Sequence, residues 1–206
     1  MTVDADPLAQ SVVVAYGSTF GTTEETARQI AEALAARTGR RPTLADVAWT
    51  GMAEIVRHDV LILGSSTWDE GELQPAWNVA LSALSASDLR GRRVAVFGCG
   101  DRAGYPDTFG DALGILLRHA RGAGAESIGA FPMERLGYDP GTFEAEEVRD
   151  GDDLVGLILD DEEDDEARVA QVAWWCDQLA SELGQGLGDA TQRSVVALHR
   201  GEIPAR

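Results

Sequence analysis

Lysine is missing altogether, and all 17 basic residues are arginine. That absence excludes a Walker-type phosphate loop, whose Lys must reach the nucleotide phosphates. Cysteine is almost as scarce. Cys99 and Cys176 are the only two, too few for a disulfide framework or a zinc site, and the reading is a reducing cytoplasm. No apolar run is long enough to cross a bilayer, and Asp4 and Asp6 stand where a secretory leader would be basic, so neither a membrane insertion nor a signal peptide is expected. Basic charge is scarce overall: 17 basic against 35 acidic residues leave a net charge of −18. A chain of that sign repels phosphodiester backbones, which argues against nucleic acid. It attracts basic surfaces on other proteins, although solubility alone would call for the same charge.

What is present is an alternation of strands and helices. Val12-Val13-Val14-Ala15-Tyr16 runs apolar, as a strand buried on both faces does. Thr23 to Thr38 follows as a helix, with Ala27, Ile30, Ala31 and Leu34 on one side, Glu24 and Glu25 in the first turn and Gly39 at the end. The pattern repeats with strands at Pro42 to Val47, Val60 to Leu63, Val94 to Phe97, Ser127 to Phe131 and Leu154 to Leu159. Helices are expected at Met52 to Val56, Pro75 to Leu84, Thr108 to Ala123 and Glu166 to Leu183. Such alternation implies an α/β fold with a parallel sheet covered on both faces. At 206 residues one domain is expected, over residues 11–183, between a flexible extension at 1–10 and a tail at 184–206. Pro132 to Asp153 is long for a connection in a compact domain, and loops of that length are usually functional or disordered.

In parallel sheets the ligand sits beyond the carboxyl ends of the strands, where strand order reverses. Three loops are placed there. The first, GSTFGTTE from Gly17 to Glu24, joins a buried strand to a helix N-terminus, a position with unpaired N–H groups and positive dipole. Ser18, Thr19, Thr22 and Thr23 add hydroxyl donors. Without any cation it suits a phosphate monoester held by neutral groups, or equally a hydroxyl-rich helix cap with no ligand. The second, GSSTWDEGELQPAW, carries Trp68 on a turn, where it can either face a ligand or cover the core. The third, GCGDRAGYPDTFGDALG, offers Tyr105 as a stacking face among glycines that permit close approach.

Together these loops closely resemble the flavodoxin family, whose members carry a hydroxyl-rich phosphate loop, TWxxGELQ and GxGDxxGYxxxFxDALG in the same order. The resemblance spans Val12 to Leu183. It implies a flavodoxin-like three-layer αβα sandwich with a five-stranded parallel sheet in order 2-1-3-4-5. It also implies non-covalently bound FMN and a low-potential, one-electron carrier. By the same likeness Ser18, Thr19, Phe20, Gly21, Thr22 and Thr23 hold the FMN phosphate, and Trp68 and Tyr105 stack on opposite faces of the isoalloxazine. Ser66, Thr67, Asp69, Gly71, Cys99, Gly100, Asp101 and Thr108 meet the ring edge and ribityl chain, and Glu162 is carried over as an acidic ribityl contact. Pro132 to Asp153 resembles the insertion that splits the last strand of long-chain flavodoxins. The partners implied are a basic flavodoxin/ferredoxin NADP reductase and acceptor oxidoreductases, served by a monomer.

The chain departs from the family pattern at Phe20, where Thr is usual, at Asp69 and Thr108, where Asn is common, and at Arg102, where Gln is common. Phe20 removes one hydroxyl donor from the phosphate loop. The alternative function is an FMN-dependent NAD(P)H:quinone-type oxidoreductase, which needs a nicotinamide pocket over the ring. A receiver-type signalling domain needs a Lys and an acidic cluster after the first strand, and neither is present. Of the 35 acidic residues, 13 lie between Glu144 and Glu166 with Arg149 as the sole cation among them. That run reads either as a solvated face or as a dock for basic partners.

Overall fold

The computed structural model describes residues 10–84 and 88–200, with side chains described as far as Gly184. In chain order the elements are β1 (Val12–Gly17), α1 (Thr22–Thr38), β2 (Thr43–Asp46), α2 (Met52–Ile55), β3 (Val60–Trp68), β4 (Glu72–Leu73), α3 (Pro75–Ser82) and β5 (Arg93–Gly100). They continue with α4 (Asp111–Gly122), β6 (Glu126–Ser127), β7 (Phe131–Pro132), β8 (Arg149–Asp150), β9 (Asp153–Leu154), β10 (Leu157–Asp160) and α5 (Asp165–Arg200). The central strands run β2-β1-β3-β5-β10, all parallel. Counting those five strands along the chain, their spatial order is 2-1-3-4-5. Val13, Val14, Leu61, Ile62, Val94, Ala95 and Val96 lose all solvent contact, which is why these strands are continuously apolar rather than alternating.

The last strand is divided in a way the sequence only outlined. β6 pairs with Arg93 and Val94 at the start of β5, whereas β10 pairs from Phe97 to Gly100 at its end. Between them β7, β9 and β8 form a separate antiparallel sheet. The expected strands Ser127 to Phe131 and Leu154 to Leu159 are therefore each cut in two. Gly129 turns the first with φ 75°. The second is interrupted at Gly156, where an added Cβ would lie 2.0 Å from the Val96 carbonyl oxygen and only glycine fits. Two further boundaries move. β3 and β5 extend to Trp68 and Gly100 because each continues the other's ladder through Ser65↔Gly98 and Ser66↔Cys99. Trp68 thus closes a strand, paired with Glu72 of β4, instead of standing on a turn. The fourth helix starts at Asp111 rather than Thr108 because Gly110, at φ 85°, is its cap.

α1 and α5 pack together, joined by Arg37, which donates to both Asp177 carboxylate oxygens and to the Ala173 carbonyl. α4 packs against β3 and β5. α5 continues beyond the stretch that resembles the family, to Arg200.

At the opposite end of the sheet from the three loops, Asp59 ties β1 to β3. Its carboxylate accepts from the Ser11 N–H at 2.9 Å and the Ser11 hydroxyl at 2.8 Å, with Arg92 at 2.9 Å. The backbone bond from Ser11, aided by the hydroxyl and Arg92, holds this carboxyl below its ordinary range. A carboxyl lowered by folding contributes stability above its unfolded pKa, and loses it as pH falls through the folded value. Asp59→Asn is expected to cost about 1 kcal/mol at pH 7 and to flatten the loss of stability below about pH 4. Urea unfolding between pH 7 and pH 3 measures both.

Candidate functional site

One open cleft lies at the carboxyl ends of β1, β3 and β5. It is lined by the loop after β1, the end of β3 and the segment from Cys99 to Phe109, with Asp161 following β10. Of the residues singled out from sequence, Ser18, Thr19, Phe20, Thr22, Thr23, Ser66, Thr67, Trp68, Asp69, Cys99, Gly100, Asp101, Tyr105 and Thr108 line it together. Gly21, Gly71 and Glu162 do not. Gly21 and Gly71 are turn residues at φ 94° and 96°, outside the range that side chains ordinarily adopt.

The phosphate-loop end has the features of an anion site. α1 is capped by Gly21, which has no side chain, and no side-chain cap bond is made. No hydroxyl of the loop makes a side-chain cap bond to α1. Ser18 Oγ accepts from the Gly21 N–H at 3.1 Å, and Thr19 Oγ1 accepts from Gln74 Nε2 at 3.2 Å. Both bonds fix the loop's shape. The helix N-terminus beyond supplies unpaired N–H groups and the positive end of the dipole.

The ring end is built on strand termini. Trp68 Nε1–H donates to Ser66 Oγ at 2.9 Å, which fixes the indole plane. Asp69 follows at φ 43°, a left-handed conformation that Asp tolerates, and the Gly71 N–H closes the turn on the Trp68 carbonyl at 3.0 Å. Tyr105 is 54% exposed, and its loop is closed by the Gly104 N–H donating to Asp101 Oδ1 at 2.8 Å. Thr67 Oγ1 and Thr108 Oγ1 are buried without a protein partner. Orphaned polar atoms in a cleft wall are costly unless a ligand satisfies them.

Three features escaped the sequence reading. Phe20 is 89% exposed, yet its ring lies parallel to Trp68, 4° apart with centroids at 6.0 Å, so the loop contributes an aromatic surface as well as backbone donors. Phe109 lies beneath the third loop, against Tyr138 and Phe143 of the insertion. Its signal was present, since an apolar residue between Thr108 and Gly110 has the core as its natural place. Of the acids that follow β10, Asp161 lines the cleft and Glu162 does not. β10 ends at Asp160, and Asp161 donates its N–H back to the Gly100 carbonyl at 2.8 Å, which draws it to the cleft. Burial raises the Asp161 carboxyl above its ordinary range, and Arg168 partly offsets that rise. The Cys99 thiol is pushed up to about 11 by burial and stays protonated.

The insertion is joined to the cleft's third loop. The Arg102 guanidinium lies 4.0 Å from the Tyr138 ring centroid, and the Arg102 backbone N–H donates to Asp160 Oδ1 at 3.4 Å. Arg102→Gln removes that contact, worth about 0.5–1 kcal/mol where exposed. Proteolysis of the insertion is expected to accelerate two- to fivefold, as followed by gel after limited digestion.

A family model described as Flavodoxin matches residues 14–175. The chain is 34% identical over 170 residues to a flavodoxin of Synechococcus elongatus, covering 82% of this chain and 97% of that protein. It is 34% identical over 169 residues to flavodoxin 1 of Escherichia coli, covering 82% and 92%. Among solved structures, Fusobacterium nucleatum flavodoxin bound to flavin mononucleotide superposes with a TM-score of 0.72 at 21% identity, covering 84% of this chain and 98% of that one.

Proposed function

This chain belongs to the flavodoxin family, and from that premise we propose that its cleft holds one FMN and that the protein carries electrons singly between redox proteins. The observation that carries the reading is the meeting, in one cleft, of a cation-free hydroxyl loop at a helix N-terminus with Trp68 and Tyr105. FMN supplies the electron-accepting ring. In this reading Ser18 to Thr23 bind its phosphate through backbone N–H groups and hydroxyls. Trp68 and Tyr105 flank the ring, and Ser66, Thr67, Cys99, Gly100, Asp101 and Thr108 satisfy its polar edge and side chain. The acidic contact assigned from sequence to Glu162 passes to Asp161.

Asp69, Asp101 and Asp161 line the cleft, and no residue lining it among those described is basic. A unit charge at about 8 Å is worth about 2 kcal/mol at an effective dielectric of about 20, so these carboxylates resist added negative charge and keep the potential low. The lack of a lining cation favours a carrier over an NAD(P)H:quinone-type reductase. The small sheet inserted between β6 and β10 supports assignment to the long-chain branch. Two buried cysteines, both free, suit a reducing cytoplasm, and the protein is taken to act as a monomer.

The experiment is titration of apoprotein with FMN and with riboflavin. One FMN per chain, with its fluorescence quenched, is expected, and riboflavin should bind at least tenfold more weakly because the phosphate anchor is lost. Equal binding of the two would remove the phosphate role from Ser18 to Thr23. The partner is a reductase with a basic face, such as a flavodoxin/ferredoxin NADP reductase. Replacing Asp152, Asp153, Glu162 and Glu163 together by lysine should slow reduction by such an enzyme about tenfold at low salt, the difference shrinking at high salt. An unchanged rate would place the dock elsewhere.

A further inference from the structure

Arg168, in the first turn of α5, is only 16% exposed at its side chain and reaches Asp161 of the cleft wall. Its Nη1 lies 3.6 Å from Asp161 Oδ1 and donates to the Asp160 carbonyl at 3.4 Å, and its Nη2 lies 3.8 Å from Cys99 Sγ. None of these contacts is as short as the 2.7–2.9 Å usual for a charge-assisted bond. A guanidinium taken largely out of water is thus only loosely answered, which leaves much of its field to act on its surroundings. Two of its three neighbours, Cys99 and Asp161, form the cleft wall at the ends of β5 and β10. The other arginine nearby, Arg102, is stacked on Tyr138. Arg168 is therefore the cation set against a wall whose lining charges are all carboxylates.

We propose that Arg168 is a positioning residue for electron transfer: its charge, acting through Cys99 and Asp161 without touching the cofactor, stabilises the negative charge that FMN gains when an external reductant supplies an electron. The inference rests on the FMN reading above. It locates in one side chain the counterweight that keeps the acidic cleft from expelling reduced FMN. Phosphate binding is the competing role for the same cation. The guanidinium reaches the wall beneath β5 and β10, where Cys99 Sγ also meets Thr26 Oγ1 of α1 at 3.5 Å, so the ring and phosphate roles are separated by whether its effect on binding depends on the redox form.

The test compares the dissociation constants of oxidised and reduced FMN for wild type, Arg168→Gln and Arg168→Lys, with dithionite as reductant and folding checked by circular dichroism. In Arg168→Gln the reduced-to-oxidised ratio should rise about tenfold, equivalent to a fall of about 30 mV in the two-electron midpoint. Affinity for oxidised FMN should change less than threefold, and Arg168→Lys should recover most of the difference. Should the Gln variant not fold, Arg168→Met keeps the packing of the stem and carries the same expectation. An unchanged ratio overturns the proposal, and so does an equal loss of affinity for both redox forms, which would assign the cation to the phosphate. A wild-type protein that binds no FMN would instead overturn the functional reading.

Discussion

Trp68→Ala is expected to weaken FMN binding about thirty- to hundredfold while leaving the fold intact. Stacking of a planar heterocycle on an aromatic side chain is worth about 1–3 kcal/mol, and Trp68 meets the conditions for the upper half of that range. It closes β3 rather than riding on a mobile turn, and its indole is pinned by the 2.9 Å bond to Ser66 Oγ. A ring held in one orientation loses little freedom when a ligand stacks on it. Trp68→Phe keeps a stacking face but loses the bond to Ser66, so its affinity should fall between the two. Tyr105, more exposed and on a looser loop, should lose less when truncated. The measurement is the quenching of FMN fluorescence on titration with apoprotein. Unchanged affinity in Trp68→Ala would mean that the ring binds away from this wall.

Trp77→Ala is expected to destabilise the protein by about 3–5 kcal/mol, the cost of emptying a large aromatic site in a core. Trp77 is completely buried on α3, and its Nε1–H donates to the Gly64 carbonyl at 2.8 Å. Its ring also lies under the phosphate loop, since a Cβ added to Gly17 would sit 2.9 Å from it. Truncation therefore leaves a cavity, an orphaned carbonyl on β3 and an unsupported turn after β1. Domains of this size have about 5–15 kcal/mol of stability, so the loss takes a large share of what keeps the apoprotein folded. Excess FMN should restore part of the loss by mass action. Urea unfolding with and without FMN measures both effects, and a loss under 1 kcal/mol would contradict the packing described.

How far the sequence could be read depended on how local each signal was. β1, β3 and β5 were legible because strands buried on both faces are continuously apolar, and α1 because its apolar stripe and acidic first turn lie within one helix. The ends of β3 and β5 were not legible. Gly64-Ser65-Ser66 and Gly98-Cys99-Gly100 look like loop on their own and become strand only by pairing with each other. The divided last strand was hidden for a similar reason: Gly129 and Gly156 break two apolar runs, but only the ladder shows that the fragments join different sheets.

At the site, most of the expected cleft residues do line the cleft, because three neighbouring strand ends carry them there together. The exceptions are instructive. Asp161 and Glu162 are indistinguishable in an acidic run, and the choice between them is made by a backbone bond to Gly100. Phe20 read as a lost hydroxyl, whereas its ring meets Trp68 across two loops distant in sequence. Arg168 could not be noticed at all from sequence, since its relation to Cys99 spans the packing of α5 under β5.

The central claim, a one-electron FMN carrier, is tested most directly by a potentiometric reductive titration of the FMN-loaded protein followed by absorbance. Two resolved one-electron steps are expected, the second well below the potential of free FMN because of Asp69, Asp101 and Asp161. A single two-electron step near the potential of free FMN, together with rapid oxidation of NAD(P)H by the pure protein, would contradict it.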